Sequence, residues 1–366
     1  MTKSFDEVFE DKTKYGIKLK TDEYCVSGTH IIIDQGQEQI AGYTDLEDGL
    51  FRETPAIIFG DHTRIVKYID EPFFLGADGV KVLRSKYPDA NYKYLYYALK
   101  NARIPNTGYN RHFKWLKETW INYPDADRQA EIVHVLDSVM NVIVKRQKEL
   151  SALDDLIKAR FVEMFGTYPA NEKGWPTGKI RDLVTEVRYG SSRKAADGQT
   201  GKYPYLRMNN ITYSGELDLA ETKTIDIPDE ELDKCSVRRG DLLFNRTNSK
   251  ELVGKTCVYN RDELMVLAGF VVRVRLNEKA LPEFVSVFMN TSFSKQMLLG
   301  MCKAAIGQAN INAQELQNIG IYIPPITLQR EFVSFKEHID KCKSAIQKSL
   351  DETQLLFDSL MQKYFG

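Results

Sequence analysis

At 366 residues the chain is longer than one ordinary core requires and fits two domains with connecting elements. Lys and Arg number 50 against 51 Asp and Glu, which excludes a uniformly basic nucleic-acid binder and leaves only local positive charge for that role. Met1-Thr2-Lys3-Ser4-Phe5-Asp6 lacks the apolar core of a secretory signal, no run approaches the roughly 18 apolar residues of a membrane span, and Cys25, Cys235, Cys257, Cys302 and Cys342 are too scattered for a disulfide framework or zinc ribbon.

The histidines form no close-spaced pair and no cluster with cysteine, so neither metal nor cofactor is expected, and the chain reads as a protein of the reducing cytoplasm. Segment 1–120 is rich in short apolar runs punctuated by Gly, Asn and Asp. His30-Ile31-Ile32-Ile33 and Ala56-Ile57-Ile58-Phe59 predict strands of an irregular, mostly antiparallel β domain. Pro88 precedes one short helical stretch, Tyr92–Leu99. Polar loops supply candidate binding residues: Gln35 and Gln37 after the first strand, His62, Thr63 and Arg64 after the second, and Asn110 and Arg111 in Asn106–His112. With no nucleophile or paired carboxylate near His62, it reads as a loop histidine and not as an acid–base catalyst.

Residues 124–166 predict a long helix. Positions stepping 4-3-4-3 hold Ile132, Leu136, Val139, Ile143, Arg146, Leu150, Leu153, Ile157, Arg160 and Met164, the rhythm of a coiled-coil seam. Pro124 precedes the helix and Gly166 ends it.

Segment 167–323 returns to β-rich text, with Asp241-Leu242-Leu243-Phe244 and Phe270-Val271-Val272-Arg273-Val274 as strands and Pro282 opening a helix through Met289. Its candidate binding residues fall in four clusters: Tyr189, Ser191, Ser192, Arg193 and Lys194; Arg207, Asn209 and Asn210; Asn245, Arg246, Thr247, Asn248 and Lys250; and Gln308, Asn310 and Asn312. Arg and Lys suit guanine edges and phosphates, and Asn and Gln suit adenine, so the clusters predict a polar recognition surface. Ser249–Thr256 has the spacing of a phosphate-binding loop, but serine replaces its first glycine and no βαβ pattern surrounds it.

Residues 324–366 repeat the long helix. An ungapped alignment of 121–166 on 321–366, at an offset of 200, gives 11 identities in 46 positions, including Pro124/Pro324, Gln129/Gln329, Leu156/Leu356, Phe165/Phe365 and Gly166/Gly366. The matching seam runs through Phe332, Lys336, Ile339, Lys343, Ile346, Leu350, Thr353, Phe357, Leu360 and Tyr364. Two such seams in one chain predict an intramolecular antiparallel pair, with charged seam residues snorkelling or meeting a partner.

The sequence as a whole resembles the specificity subunits of type I restriction–modification enzymes. The resemblance rests on the order variable segment, long helix, variable segment, long helix, and on local phrases. These include Ile33-Asp34-Gln35-Gly36-Gln37, Phe59-Gly60-Asp61-His62-Thr63-Arg64, Gly76-Ala77-Asp78-Gly79, Leu206-Arg207-Met208-Asn209-Asn210-Ile211 and Gly240-Asp241-Leu242-Leu243-Phe244-Asn245-Arg246. It implies an α+β fold: two mainly β target-recognition domains with short helices (1–123 and 167–323), separated and held by two long antiparallel helices (124–166 and 324–366). It also implies a non-catalytic subunit that reads a bipartite site on double-stranded DNA, docks two adenine-methylating subunits, and joins motor–nuclease subunits in the full complex. The alternative from another class is a coiled-coil scaffold whose β domains bind protein or glycan.

Overall fold

A computed structural model describes all residues except Ala77, Asp197 and 303–308. The chain divides into two compact units, Met1–Gln147 with Lys348–Gly366, and Lys148–Gln347. Two 40-residue helices, Ala126–Phe165 and Ile326–Phe365, each contribute one part to either unit. At about 1.5 Å per residue each is roughly 60 Å long. Every predicted seam position in both helices is buried or half-buried. Gly166 ends the first helix with φ +80, a left-handed conformation that glycine adopts without Cβ strain.

In the first unit, strand Thr2–Ser4 pairs antiparallel with Trp120–Asn122. A four-stranded antiparallel sheet runs in the order Phe9–Asp11, Val80–Ser85, Ala56–Gly60, Val66–Ile69. The smaller sheet places His30–Ile33 between Gly42–Thr44 and Phe73–Leu75, and pairs with the latter in parallel. Alternation along one strand explains how two cores form. Ile57 and Phe59 face the core that holds the helical residues, whereas Ala56 and Ile58 face the core shared with Ile31, Ile33, Phe73 and Leu75. A strand covered on both faces is apolar throughout, which is why all five of its residues are buried.

The helix Tyr92–Lys100 joins this sheet to the long helices. Asn91 caps it by accepting the Tyr94 amide at 3.1 Å. From it, Tyr97 donates to Asp137 Oδ1 at 2.7 Å and Lys93 donates to Oδ2 at 2.5 Å. Burial, reinforced by the Asp137 carboxylate, pushes the Tyr97 hydroxyl pKa up. Tyr94 and Tyr97 pack in one core with Ile132, Leu136 and Ile143 of the first long helix and Phe357 and Met361 of the second.

The second unit repeats this scheme on its own terms. One four-stranded antiparallel sheet has the order Val184–Tyr189, Val271–Leu276, Leu242–Asn245, Thr256–Val258. The other runs Lys223–Ile225, Tyr203–Leu206, Met265–Leu267, Ser236–Val237, with its central pair parallel. Strand Thr177–Lys179 pairs with Gly320–Tyr322. The helix Pro282–Met289, with proline at its start, brings Phe284 against Phe161 and Phe165 of the first long helix, which in turn meet Phe332 of the second; ring centroids lie 5.0 to 5.5 Å apart. Within this unit the helices run antiparallel, because Phe161 meets Phe332 while the earlier Asp154 meets the later Lys343 at 2.5 Å. Arg160 and Glu331 add a contact at 3.4 Å.

The sheets are mostly antiparallel, as expected, with a parallel strand pairing in each unit. One sequence expectation needs correction. Each β segment carries more than one short helix: Phe5–Val8 and Phe113–Lys117 in the first, and Asp229–Cys235, Ser292–Met301 and Ala313–Gln317 in the second. Phe5–Val8, Phe113–Lys117 and Ala313–Gln317 make barely one turn, too little for a 3.6-residue period to show.

Candidate nucleic-acid interface

In the first unit three of the predicted loops converge on Gln35. Its side-chain amide donates to the Asp78 carbonyl at 2.9 Å and accepts the His62 amide at 3.1 Å, and its carbonyl accepts the Thr63 hydroxyl at 2.7 Å. Gly79, at φ +94, lies so close to this amide that an added Cβ would meet Gln35 Nε2 at 2.6 Å. Below the loops, the buried Asp61 carboxylate accepts the Phe113 amide at 2.8 Å, and its carbonyl accepts the His112 amide at 2.7 Å. These bonds tie the loop after Gly60 to the segment that carries Asn110 and Arg111.

His62 Nδ1 lies 3.2 Å from the Asn110 carbonyl, and its ring stacks on Tyr109 at 4.6 Å with 7° between planes. Arg64 holds a left-handed φ of 63 and donates to the Ile104 carbonyl at 3.3 Å. The Asn110 amide is turned toward the Thr107 carbonyl at 2.5 Å. Gln37, Thr63, Asn110 and Arg111 are exposed. Tyr109, within the candidate run Asn106–His112, is 87% exposed. An aromatic beside Asn and Arg in a glycine-containing loop is suited to stacking on a base.

In the second unit, strand pairing assembles two of the predicted clusters. Thr247–Asn248 pairs antiparallel with Ala309–Asn310, and the Ile311 amide donates to the Arg246 carbonyl at 2.9 Å. Arg246 places its guanidinium 5.1 Å from the centre of the Tyr189 ring, whose hydroxyl accepts the Ala313 amide at 3.1 Å. Asn312 caps the helix Ala313–Gln317 by accepting the Gln314 and Glu315 amides. Asn245 is fully buried with neither side-chain polar atom hydrogen-bonded, and Thr247 Oγ1, Arg246 Nε and Arg207 Nε are likewise enclosed without partners. Leaving such groups unpaired costs about 1–3 kcal/mol each, which sets them apart from the satisfied polar groups around them.

The remaining predicted residues are more local. Ser191 is buried, and its carbonyl and that of Arg193 accept the Tyr205 hydroxyl at 3.2 and 3.0 Å. Arg193 is held by Glu231 at 2.6 and 3.2 Å. Asn210 is buried, accepting the Arg207 amide and donating to the Asp218 carbonyl. Ser192, Lys194, Asn209, Lys250 and Asn310 are exposed. Gln308, and Ala77 of the Gly76–Gly79 phrase, lie outside the described residues. In the phosphate-loop lookalike, Lys255 is buried and donates to the Met208 carbonyl at 2.9 Å, so its ammonium is turned into the domain. Among the described residues no His, Cys, Asp and Glu cluster is placed to hold a metal, and no helix is long and apolar enough to cross a membrane.

In each unit the loops gather amide and guanidinium groups beside an exposed tyrosine, Tyr109 in the first and Tyr189 in the second. Comparison with known proteins agrees with this layout. The specificity subunit of the type I restriction enzyme EcoKI from Escherichia coli strain K12 is 23% identical over 223 residues, covering 60% of this chain and 47% of that protein. The chain thus spans about half the length of that relative. The EcoR124I/EcoR124II specificity subunit from Escherichia coli is 22% identical over 364 residues, covering 93% of this chain and 86% of the relative. The crystal structure of a type I restriction–modification system S subunit from M. genitalium superposes with a TM-score of 0.56 at 17% identity, over 100% of this chain and 96% of that one, and so shares its fold. The family described as type I restriction modification DNA specificity domain matches residues 1–152 and 172–354. The chain therefore belongs to the type I restriction–modification DNA specificity family.

Proposed function

We propose that the chain is the DNA-specificity subunit of a type I restriction–modification assembly, in which two recognition domains, 1–123 and 167–323, each read one part of a bipartite DNA site. The observation that carries this reading is the second-unit cluster around Asn245, Arg246 and Tyr189, where enclosed amide and guanidinium atoms without partners sit beside exposed basic residues. Amides and guanidinium groups of this kind suit base edges and phosphates. The first-unit loops around His62, Tyr109 and Arg111 fill the same role for the other half-site.

The two long helices, 124–166 and 324–366, set the unspecified gap as an antiparallel coiled coil, in a pseudo-twofold repeat at an offset of 200. Matching element positions favour this repeat: the helix Phe113–Lys117 and strand Trp120–Asn122 have counterparts at Ala313–Gln317 and Gly320–Tyr322. The helices also dock two methyltransferase subunits that methylate adenine at N6, with motor–nuclease subunits joining the full complex in the cytoplasm. Leu156 and Leu356, identical in the repeat, are 45% and 52% exposed. Apolar side chains left on equivalent surfaces suit two copies of one partner.

The test is to express the chain with its methyltransferase subunit and map methylated adenines. A single bipartite motif, lost with Arg246→Ala, is the expected result. Methylation without a motif, or a motif indifferent to substitutions in both clusters, refutes the reading.

A further inference from the structure

A cavity of about 570 Å³ lies in the second unit, and none of the residues assigned to DNA lines it. Its apolar wall includes Ile157, Phe161 and Val162 of the first long helix and Val287 of the helix Pro282–Met289. The rest comes from the turn that holds Tyr213 and from the helix Ser292–Met301, which supplies Lys295. The size falls within the range of about 300–1,000 Å³ usual for small-molecule sites, and mostly apolar walls with a few polar groups are their usual lining.

Lys295 is the unusual group. Its ammonium is enclosed and has no hydrogen-bond partner. The Tyr213 ring covers it at 4.8 Å, and Tyr213 is itself 55% exposed. A cation–π contact offers about 0.5–2 kcal/mol, less than the several kcal/mol that enclosing an ion costs. Burial, with the nearby Lys255 ammonium, lowers the Lys295 pKa to about 8. Asn290 adds an enclosed acceptor, Oδ1, without a partner, while its amide nitrogen donates to the Thr256 and Ser286 carbonyls.

The acidic residues of the wall do not relieve this deficit. Asp154 and Glu216 both pair with Lys343. Lys158 and Lys336 pair with Asp155 and Asp340, which leaves Lys295, among the described residues of the wall, as the cation with neither an ion pair nor a hydrogen bond. For structure alone a methionine would fill the same space without the desolvation cost, so the charge points to an anionic ligand.

We propose that this cavity binds a small amphipathic anion, an apolar body bearing one carboxylate or sulfonate. Its acidic group pairs with Lys295 when the Tyr213 ring turns aside, and its apolar body lies against Ile157, Phe161 and Val287. The proposal does not depend on the DNA-reading role.

The probe is 1-anilinonaphthalene-8-sulfonate, titrated into the full folded chain and followed by fluorescence and calorimetry. Saturable binding at one equivalent is expected. Lys295→Met weakens it by roughly tenfold or more, as loss of one member of an enclosed charge pair does, whereas Lys295→Arg retains it. Thermal melts keep the test interpretable, because removing an unpaired enclosed cation leaves the melting temperature of Lys295→Met unchanged or raised. Val287→Trp, which fills the cavity, abolishes binding. Binding by Lys295→Met equal to the unmodified chain, binding at many equivalents without saturation, or no binding at all overturns the proposal.

Discussion

Phe161 anchors the first long helix to the second β domain, and its removal tests whether that domain depends on the helices for its core. The side chain is fully buried and lies 4.9 to 5.5 Å from Phe165, Phe284 and Phe332. Truncation to alanine in such a site costs about 3–5 kcal/mol from lost burial and the residual cavity. Each aromatic pair contributes about 0.5–1.5 kcal/mol beyond area, so the upper part of that range is expected. Trp175 reports the site directly, because its indole donates to the Phe165 carbonyl at 3.0 Å. In a background with Trp115 and Trp120 replaced by Phe, urea unfolding followed by Trp175 fluorescence should shift to lower denaturant. With a slope of about 2–3 kcal/mol per molar, the shift is roughly 1–2.5 M. Phe161→Leu, which keeps most of the volume, should lose much less. A shift in Phe161→Ala worth under about 1 kcal/mol would show that the ring cluster is not what joins helix and head, and would refute the reasoning.

Three further outcomes follow from the same structure. Inserting four residues after Gln147 and after Gln347 lengthens each helix by about 6 Å and one turn; the mapped methylation motif should gain spacer bases or vanish, and an unchanged motif counts against the proposal that the helices set the gap. Leu156→Glu and Leu356→Glu together should abolish co-purification with the methyltransferase subunit while leaving the melting temperature within about 1 °C, since both leucines are exposed; retained assembly argues for another docking face. Glu186 faces burial, which raises its pKa, but the Arg273 hydrogen bond at 2.6 Å and the charges of Arg273, Arg275 and Arg188 prevail and hold it below 4.5. The contribution of this carboxylate to stability is therefore present above pH 4.5 and fades as pH falls through the lower folded-state value. Glu186→Gln should cost about 1.5–3 kcal/mol at pH 7, and equal losses at pH 7 and pH 3 in urea titrations would exclude this pairing as the cause.

Much of the architecture was legible in one dimension. The 4-3-4-3 steps through Ile132, Leu136 and Ile143 marked a long helix because helical periodicity is local and needs no knowledge of partners. Every seam position then proved buried or half-buried, including the charged Lys343, which reaches Asp154. The strands His30–Ile33 and Ala56–Gly60 were legible for the same reason, as apolar runs between turn residues. The candidate site was only partly so. Residue type marked Arg246 and Asn245 as recognition chemistry, but it also marked Asn312, whose side chain caps a helix, and Gln35, whose amide holds loops together.

The sequence by itself determined the long helices and the alternation of β-rich and helical segments, because both depend on contacts within a few residues. Tertiary structure alone decided which polar groups are left without partners. Asn245 and Lys295 are ordinary residues in the sequence. They are distinctive only because distant segments, the strand through Val271 beside one and the Tyr213 turn over the other, close around them. Burial is a property of what surrounds a side chain, and what surrounds it comes from elsewhere in the chain.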